Sequence, residues 1–306
     1  MKPRLTALIA VLAFAAVTVA AGCGGGNDNE TTTGAANLTA TPGINLQPDQ
    51  SVVAQLPAAV KSSGEVTVAM DATYPPNEFI AKDGHTIIGM DADLGKAITQ
   101  VMGLTFKPSN VTFDAIIPAL QANKYDLGIS SFTDTKDREK VVDFVTYEQY
   151  GTLFFTNSDG PTITSLDQLC GHTATAESGT TQADDIASQD TKCKAEGKSG
   201  VTGVILKDQN AVNLALSSRR ADVAMADSPV VRYLVDTSDG GFKTAGNPYG
   251  SAPYGIAIPK GTGMTQPVLA AVKAIQADGT YDKILDYWGL SSGHLDSPGI
   301  NQGIPG

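Results

Sequence analysis

Hydrophobic positions along this chain follow two alternating patterns. Glu65 to Met70 is a short β-branched run that reads as a strand and ends at Asp71. Asp91 then opens a helix in which Leu94, Ala97, Ile98 and Val101 mark one face and Gly103 is the stop. A second helix runs from Val111-Thr112-Phe113 to about Asn123, with Pro118 expected to distort its early turns. Tyr125 to Ile129 reads as the next strand. A short apolar helix near Ser51 to Lys61 precedes the series. The alternation resumes later. His172 to Ala176, Val201 to Leu206, Ala221 to Ala226 and Tyr254 to Ile258 are strands. Helices open at Ser178-Gly179-Thr180-Thr181, at Asn210 and at Ser228-Pro229, where Pro takes the first helical position. A final helix from about Thr265 to Tyr287 is interrupted near Asp278-Gly279. This βαβ order predicts an α/β protein of two parallel sheets with helices on both faces.

The two ends follow neither pattern. Lys2 and Arg4 precede an apolar stretch from Leu5 to Ala20, as in an export signal, which is too short for a permanent membrane span. Ala20-Ala21-Gly22 leads to Cys23, which resembles a bacterial lipoprotein signal, with Ala20 standing where Leu is commonest. Val19-Ala20-Ala21 also suits an ordinary signal peptidase, which would release the protein. Residues 24–50 are rich in Gly, Asn and Thr and read as a flexible tether, with a reach of roughly 25–30 Å. Beyond Leu290 the Gly- and Pro-rich tail reads as frayed.

Composition changes this picture only in part. The 306 residues suffice for about two domains, and 42% hydrophobic content supports a sizeable core. A net charge of −11 argues against nucleic acid or an anionic membrane surface as partner. Cys170 and Cys193 remain after Cys23, and export suggests that they pair, which is worth about 3 kcal/mol. Buried free thiols, or a metal site with His172, are the alternatives.

The candidate chemistry stands at strand ends, where open parallel sheets bind ligands. After the strand ending at Ile129 come Ser130, Ser131 and Thr133, then Thr135 as a helix cap and Arg138 in the first turn. A cation there opposes the helix dipole by up to about 1 kcal/mol, yet its guanidinium suits a carboxylate or phosphate. The plain alternative is a solvated Arg paired with Asp137 or Glu139. Gly179, Thr180 and Thr181 offer hydroxyls and free N–H groups at another helix start. Asp71, Glu177 and Asp227 end three strands, and Tyr74 and Phe113 are aromatic plates just past theirs. Singly these read as turn residues, caps and core. Together they offer a carboxylate grip, an ammonium acceptor and stacking surfaces, which a zwitterionic amino acid needs. Gly197-Lys198-Ser199 lacks the rest of a phosphate loop, and His85, His172 and His294 form no metal spacing.

Asp71-Ala72-Thr73-Tyr74-Pro75-Pro76, Gly89 to Leu94, Phe113 to Leu120, Ser130 to Arg138, Ser178 to Gln182, Asp227 and Ile284 to Gly289 resemble, in order, the family 3 solute-binding proteins of ABC importers. The resemblance covers about Gly64 to Leu290. It implies a two-lobed periplasmic-binding-protein-like fold of type II, each lobe a mainly parallel sheet flanked by helices, joined by two crossing strands. Tyr150 to Phe155 and about Ser251 to Ile256 are the crossing candidates. The implied organisation is signal peptide 1–22, lipid-anchored tether 23–50, first lobe 51–150, second lobe 151–255, return to the first lobe 256–290, and disordered tail 291–306.

The resemblance also implies roles. Arg138 grips the ligand α-carboxylate with Thr181 and nearby backbone groups. Asp227 takes the α-ammonium, with Ser131 and Thr133. Tyr74 and Phe113 sandwich the side chain, and Asp71 and Ser130 face its far end. Asn77 and Ser131 depart from the usual aromatic and Gly. The expected partners are a free amino acid and a membrane permease, with no cofactor, no metal and no catalysis, in an exported monomer outside the cytoplasmic membrane. Asp71 and Glu177 near the aromatic plates favour arginine, lysine or histidine, since paired buried negatives want a cation between them. Glutamine, through an amide donor to Asp71, is the runner-up. A dehydratase-like enzyme with Glu177 as general acid is the rival from another class.

Overall fold

A computed structural model describes residues 39–305. The signal peptide 1–22, Cys23 and the tether as far as residue 38 lie outside the described residues. Two short helices, α1 (Gln50–Gln55) and α2 (Ala58–Ser63), lead into β1 (Glu65–Met70), whose Val66 and Val68 are fully buried. A small antiparallel sheet follows, of β2 (Thr73–Tyr74), β3 (Glu78–Ile80) and β4 (Ile87–Ile88). Then α3 (Met90–Val101) buries the face expected of it, and α4 (Phe113–Gln121) runs unbroken through Pro118 between β5 (Thr105–Asn110) and β6 (Leu127–Gly128).

The second half repeats the theme with β8 (Thr173–Glu177), α5 (Thr181–Ala195), β9 (Thr202–Leu206), α6 (Gln209–Ser217), β10 (Val223–Asp227) and α7 (Ser228–Thr237). Strands β7 (Val142–Asn157) and β11 (Phe242–Pro259) join the halves, and α8 (Thr265–Ala277) and α9 (Thr280–Trp288) close the series. The last two helices pack on the first half, where Val268, Val272, Ile284 and Trp288 share a core with Val66, Leu94 and Ile98. Phe154, Ile186, Val223 and Met225 anchor a separate core in the second half.

The expected two sheets are one by hydrogen bonding, in the order β5-β1-β6-β11-β7-β10-β8-β9. The reason is the length of the crossing strands. β7 pairs with β11 antiparallel from Val142 opposite Pro259 to Asn157 opposite Phe242. Register shifts fall between Ala245 and Gly255, in the Gly- and Pro-rich stretch. Missing donors and absent side chains there weaken the ladder, which suits a bend between halves.

Cys170 and Cys193 form a disulfide with a Cα–Cα separation of 5.7 Å, which fastens the turn at Leu166–Leu169 to α5. The free-thiol and metal alternatives therefore fall away, and His172 instead faces Asp222 at 3.6 Å.

Both ends are corrected. The tether was expected to be loose as far as residue 50, yet the Thr41 backbone N–H and hydroxyl both donate to the buried Asp93 carboxylate at 2.6 Å. Trp288 Nε1 donates to the same oxygen at 2.9 Å. The tail was expected to be disordered, yet Ile300 bridges Val145 and Ile304 bridges Thr135. In both places polar backbone groups do the holding, and hydrophobic patterning does not register them. The helix expected after Thr135 is also absent. Only a short 3-10 turn forms at Arg138–Lys140, because the chain must extend again at Val142. Thr135 Oγ1 still accepts the Arg138 N–H at 3.2 Å, as a cap does.

Candidate functional site

The strand ends converge where the two halves meet, around a small cavity of about 20 Å³. Asp71, Tyr74, Phe113, Ser130, Ser131, Thr133 and Arg138 line it from the first half. Glu177, Thr180, Thr181 and Asp227 line it from the second. Gly179 is not part of that lining. Its φ of +79° turns its carbonyl toward Arg138, and a Cβ there would stand 3.0 Å from the Asp114 side chain. Two further residues in the wall, Glu78 and Gln182, were not among the expected site residues.

The halves are closed on each other. The Asp227 N–H donates to the Tyr74 hydroxyl at 2.9 Å, and the Gln209 N–H to Thr73 Oγ1 at 3.2 Å. Ser178 Oγ donates to Asp114 Oδ2 at 3.0 Å. Tyr74, from the first half, packs into a core of the second with Leu153, Phe155 and Val212. Phe113 stacks on Phe132 with ring centroids 4.4 Å apart. Both plates therefore line the cavity while each ring is also held by protein.

A larger, adjoining cavity shares Thr133, Arg138, Thr181 and Asp227 with the first, and these residues mark one end of it. Arg138 is fixed there by two carbonyls, donating from Nη1 to Thr133 and from Nη2 to Gly179, each at 2.8 Å. Its guanidinium lies 5.5 Å from the Phe113 ring centroid and 5.6 Å from that of Phe132. It is not the solvated, Asp137-paired group of the plain alternative. Burial pulls its pKa down to about 10, which leaves it charged at neutral pH. Asp227 Oδ1 accepts from Gln182 Nε2 at 2.7 Å, and Gln182 is itself steadied on Thr152. Burial pushes Asp227 up to about 6, against the donors around it and Arg138.

The hydroxyls divide their work. Thr180 caps α5, accepting the Ala183 N–H at 3.2 Å and donating to the Glu177 carbonyl at 2.7 Å. The Ser131 hydroxyl donates to Asp91 at 3.1 Å and accepts from Asn77 at 2.6 Å, so Asn77 supports the wall from behind. Ser130 Oγ accepts the Asp71 N–H and donates to Glu78.

The other end of the cavity is acidic. Asp71 accepts from the Thr73 hydroxyl at 2.7 Å and from the Phe113 N–H at 2.9 Å. Burial raises its pKa, and those donors oppose the rise. Glu177 has no such help. Burial, then the charge of Asp71, pushes it up to about 10, and its Oε1 has no protein partner. Glu177 therefore carries the proton in this closed state. Glu78 is wholly buried, and burial followed by the charge of Asp91 holds its pKa well above the carboxylate range. Asp91 accepts from the Tyr147 hydroxyl and the Ser131 N–H, each at 2.7 Å, so the pair's proton rests on Glu78. The protonated Glu78 is hydrogen-bonded to the Asp91 carboxylate. Among the residues that line the cavity, the carboxyl groups of Asp71, Glu78, Glu177 and Asp227 face one cation, Arg138, so acidic groups are in excess.

Gln182 was within reach of the sequence, since it ends the Ser178 to Gln182 run, one residue after the helix start. Glu78 carried no signal, because a carboxylate in a short strand after Pro75-Pro76 reads as an ordinary solvated residue.

A hinge of two crossing strands, closed halves and a charged cavity between them define a binding protein for a small charged solute. The chain belongs to the bacterial extracellular solute-binding proteins, family 3, whose model matches residues 66–291. It is similar to the arginine-binding protein ArgT of Corynebacterium glutamicum, 33% identical over 83% of this chain and 84% of that one. Among solved structures it is similar to an ancestral arginine-binding protein bound to arginine, with a TM-score of 0.68 and 32% identity over 74% of this chain and 98% of that one. A structure of an ancestral arginine-binding protein bound to glutamine matches with a TM-score of 0.67 and 32% identity, over 74% of this chain and 98% of that one.

Proposed function

We propose that this protein is the substrate-binding component of an ABC importer, that it captures a cationic amino acid, arginine foremost, and that it delivers it to a membrane permease. The single observation that carries the ligand choice is the charge of the cavity. Arg138 and Asp227 complement the carboxylate and ammonium of any amino acid. The acidic groups Asp71, Glu78 and Glu177, in excess over cations in the lining, then favour one more cation. Arginine supplies it, together with a donor for the unpartnered Glu177 Oε1. Phe113 and Tyr74 offer the faces between the two ends. The arginine named for ArgT and for the ancestral protein supports the same choice.

Thermal shift and calorimetry against the common amino acids test it, since a ligand of the folded state raises the melting temperature. Arginine should give the largest shift with one site per chain. Tightest binding of glutamate refutes the charge argument, and tightest binding of glutamine moves the assignment to the neutral runner-up.

Glu177 held protonated at neutral pH is what a general acid requires, so a dehydratase-like reading has one observation in its favour. Capture without turnover remains our reading, because Arg138 and Asp227 form a complete amino-acid clamp. Mass spectrometry of arginine after prolonged incubation should find it unchanged. We also propose a lipid anchor at Cys23, from the Ala21-Gly22-Cys23 run. Cys23→Ala should lose membrane partitioning, and a mature N-terminus at Gly22 without lipid mass would mean release instead.

A further inference from the structure

The chain continues past the family match, which ends at residue 291. The added residues turn back from α9 along the crossing strand β7. The Thr146 N–H donates to the Gly299 carbonyl at 2.9 Å, and the Gly299 N–H to Thr146 Oγ1 at 2.9 Å. Asn301 is pinned to Phe144 from both sides, its side-chain oxygen accepting the Phe144 N–H at 2.8 Å and its own N–H donating to the Phe144 carbonyl at 3.1 Å. The segment then reaches the turn that carries Arg138. The Lys136 N–H donates to the Ile304 carbonyl at 2.9 Å, and the Ile304 N–H to the Asp134 carbonyl at 3.1 Å. The Gly303 N–H donates to Glu139 Oε1 at 2.9 Å, and Lys136 Nζ to the Asn301 carbonyl at 3.1 Å. Asp134, Lys136 and Glu139 all lie within four residues of Arg138. Ile304 and Pro305 also line the adjoining cavity, on which Arg138 and Asp227 open.

From this geometry we infer that residues 294–305 form a strap that positions the Arg138 turn, and that the affinity of the site for its amino-acid carboxylate depends on it. The inference rests on Arg138 being the carboxylate grip proposed above. The physical case concerns the turn's own weakness. Residues 129–141 form no regular helix, and a three-residue 3-10 turn supplies few hydrogen bonds of its own. Arg138 is held by the carbonyl of Thr133, five residues back on that same turn. If the turn relaxes, the guanidinium and one of its two anchors move together. The strap adds an extended partner to Asp134 and Lys136, on the outer side of the turn. It thereby fixes the register of the guanidinium before any ligand arrives, and a fixed group loses less freedom on binding.

Gly303 lines neither cavity, so a substitution there replaces no lining residue. A Cβ at this position would lie 2.6 Å from Asp134 Oδ1, 2.7 Å from Glu139 Oε1 and 2.8 Å from the Asp134 carbonyl carbon. Gly303→Ala should therefore lift the strap end away, as should a chain ending at Leu295. Calorimetry with arginine on the purified protein should show about tenfold weaker binding in both variants. In an Arg138→Lys background the same strap changes should cost much less, because strap and guanidinium act as one unit. A strap that only stabilises the fold would lower the melting temperature of every variant and leave the two losses additive, which overturns the inference. Unchanged affinity in both strap variants also overturns it. If the unmodified protein binds no amino acid, the functional reading fails, and hydrogen exchange judges the strap alone. Faster exchange of the residue 135–141 amides on strap removal then supports the positioning role, and unchanged protection ends it.

Discussion

The two ends of the cavity differ in how their charges are satisfied. At one end Arg138 and Asp227 are each held by protein groups, the first by two carbonyls and the second by Gln182. At the other end Glu177 and Glu78 hold protons against the neighbouring carboxylates Asp71 and Asp91, and Glu177 Oε1 has no protein partner. A buried polar atom is rarely left unmet, because it costs about 1–3 kcal/mol, and carboxyl groups packed together repel once ionised. The difference teaches where generality and selectivity reside. The satisfied end is preorganised for what all amino acids share. The unsatisfied end is unfavourable until a cationic group arrives, so it discriminates among side chains.

The largest expected effect comes from breaking the satisfied end. Arg138→Ala should weaken every amino-acid ligand by about 2–5 kcal/mol, since a buried carboxylate would face no cation. Calorimetry reads this directly, and unchanged affinity removes Arg138 from the grip. Breaking the acidic end should be smaller and selective. Asp71→Asn should weaken arginine by about 1.5–3 kcal/mol, the value of a hydrogen bond to a charged group, and barely affect glutamine. Equal losses for both ligands would mean that Asp71 serves the fold and not the side chain.

The pH dependence sharpens the same comparison. In the closed site Glu177 has its pKa raised to about 10, whereas in an opened, solvated cleft it returns toward the ordinary carboxylate range. Closure over a neutral ligand therefore takes up a proton, and the stability of that state is lost as pH rises through the interval up to about 10. Closure over a guanidinium needs no such uptake, because the cation stabilises the ionised acid. Glutamine affinity should fall between pH 6 and pH 9, by up to about tenfold per pH unit for one coupled proton, while arginine affinity stays nearly flat. Calorimetry in buffers of different ionisation enthalpy checks it, with proton uptake for glutamine only. Smaller still is Thr73→Ala. It removes the acceptor of the Gln209 N–H, one of the contacts between the halves, and a donor to Asp71. Arginine should lose about 1 kcal/mol, the typical worth of one hydrogen bond.

Much of this was legible in the residues. Short strands of apolar residues, such as β1 and β10, announce themselves, and their ends place Asp71 and Asp227 at the site. Helix starts with a cap residue do likewise, as Thr180 does for α5. What was not legible depends on contacts far apart in sequence. Glu78 sits in a three-residue strand, too short for any periodic signal, and becomes a wall residue only because Ser130, 52 positions away, turns toward it. The tail after Leu290 has the composition of a loose end. Its order comes from backbone bonds to Asp134, Lys136, Phe144 and Thr146, which side-chain patterning does not encode.

The central claim is that the acidic end selects a cation, and arginine against citrulline tests it most directly. The two ligands share length and shape, and citrulline replaces the guanidinium by a neutral urea. Titrated into the purified protein at pH 7, arginine should bind at least about a hundredfold more tightly, as hydrogen-bonded charges worth about 1.5–3 kcal/mol each require. Equal affinity for the two would contradict the account, because Asp71, Glu78 and Glu177 would then not be reading charge.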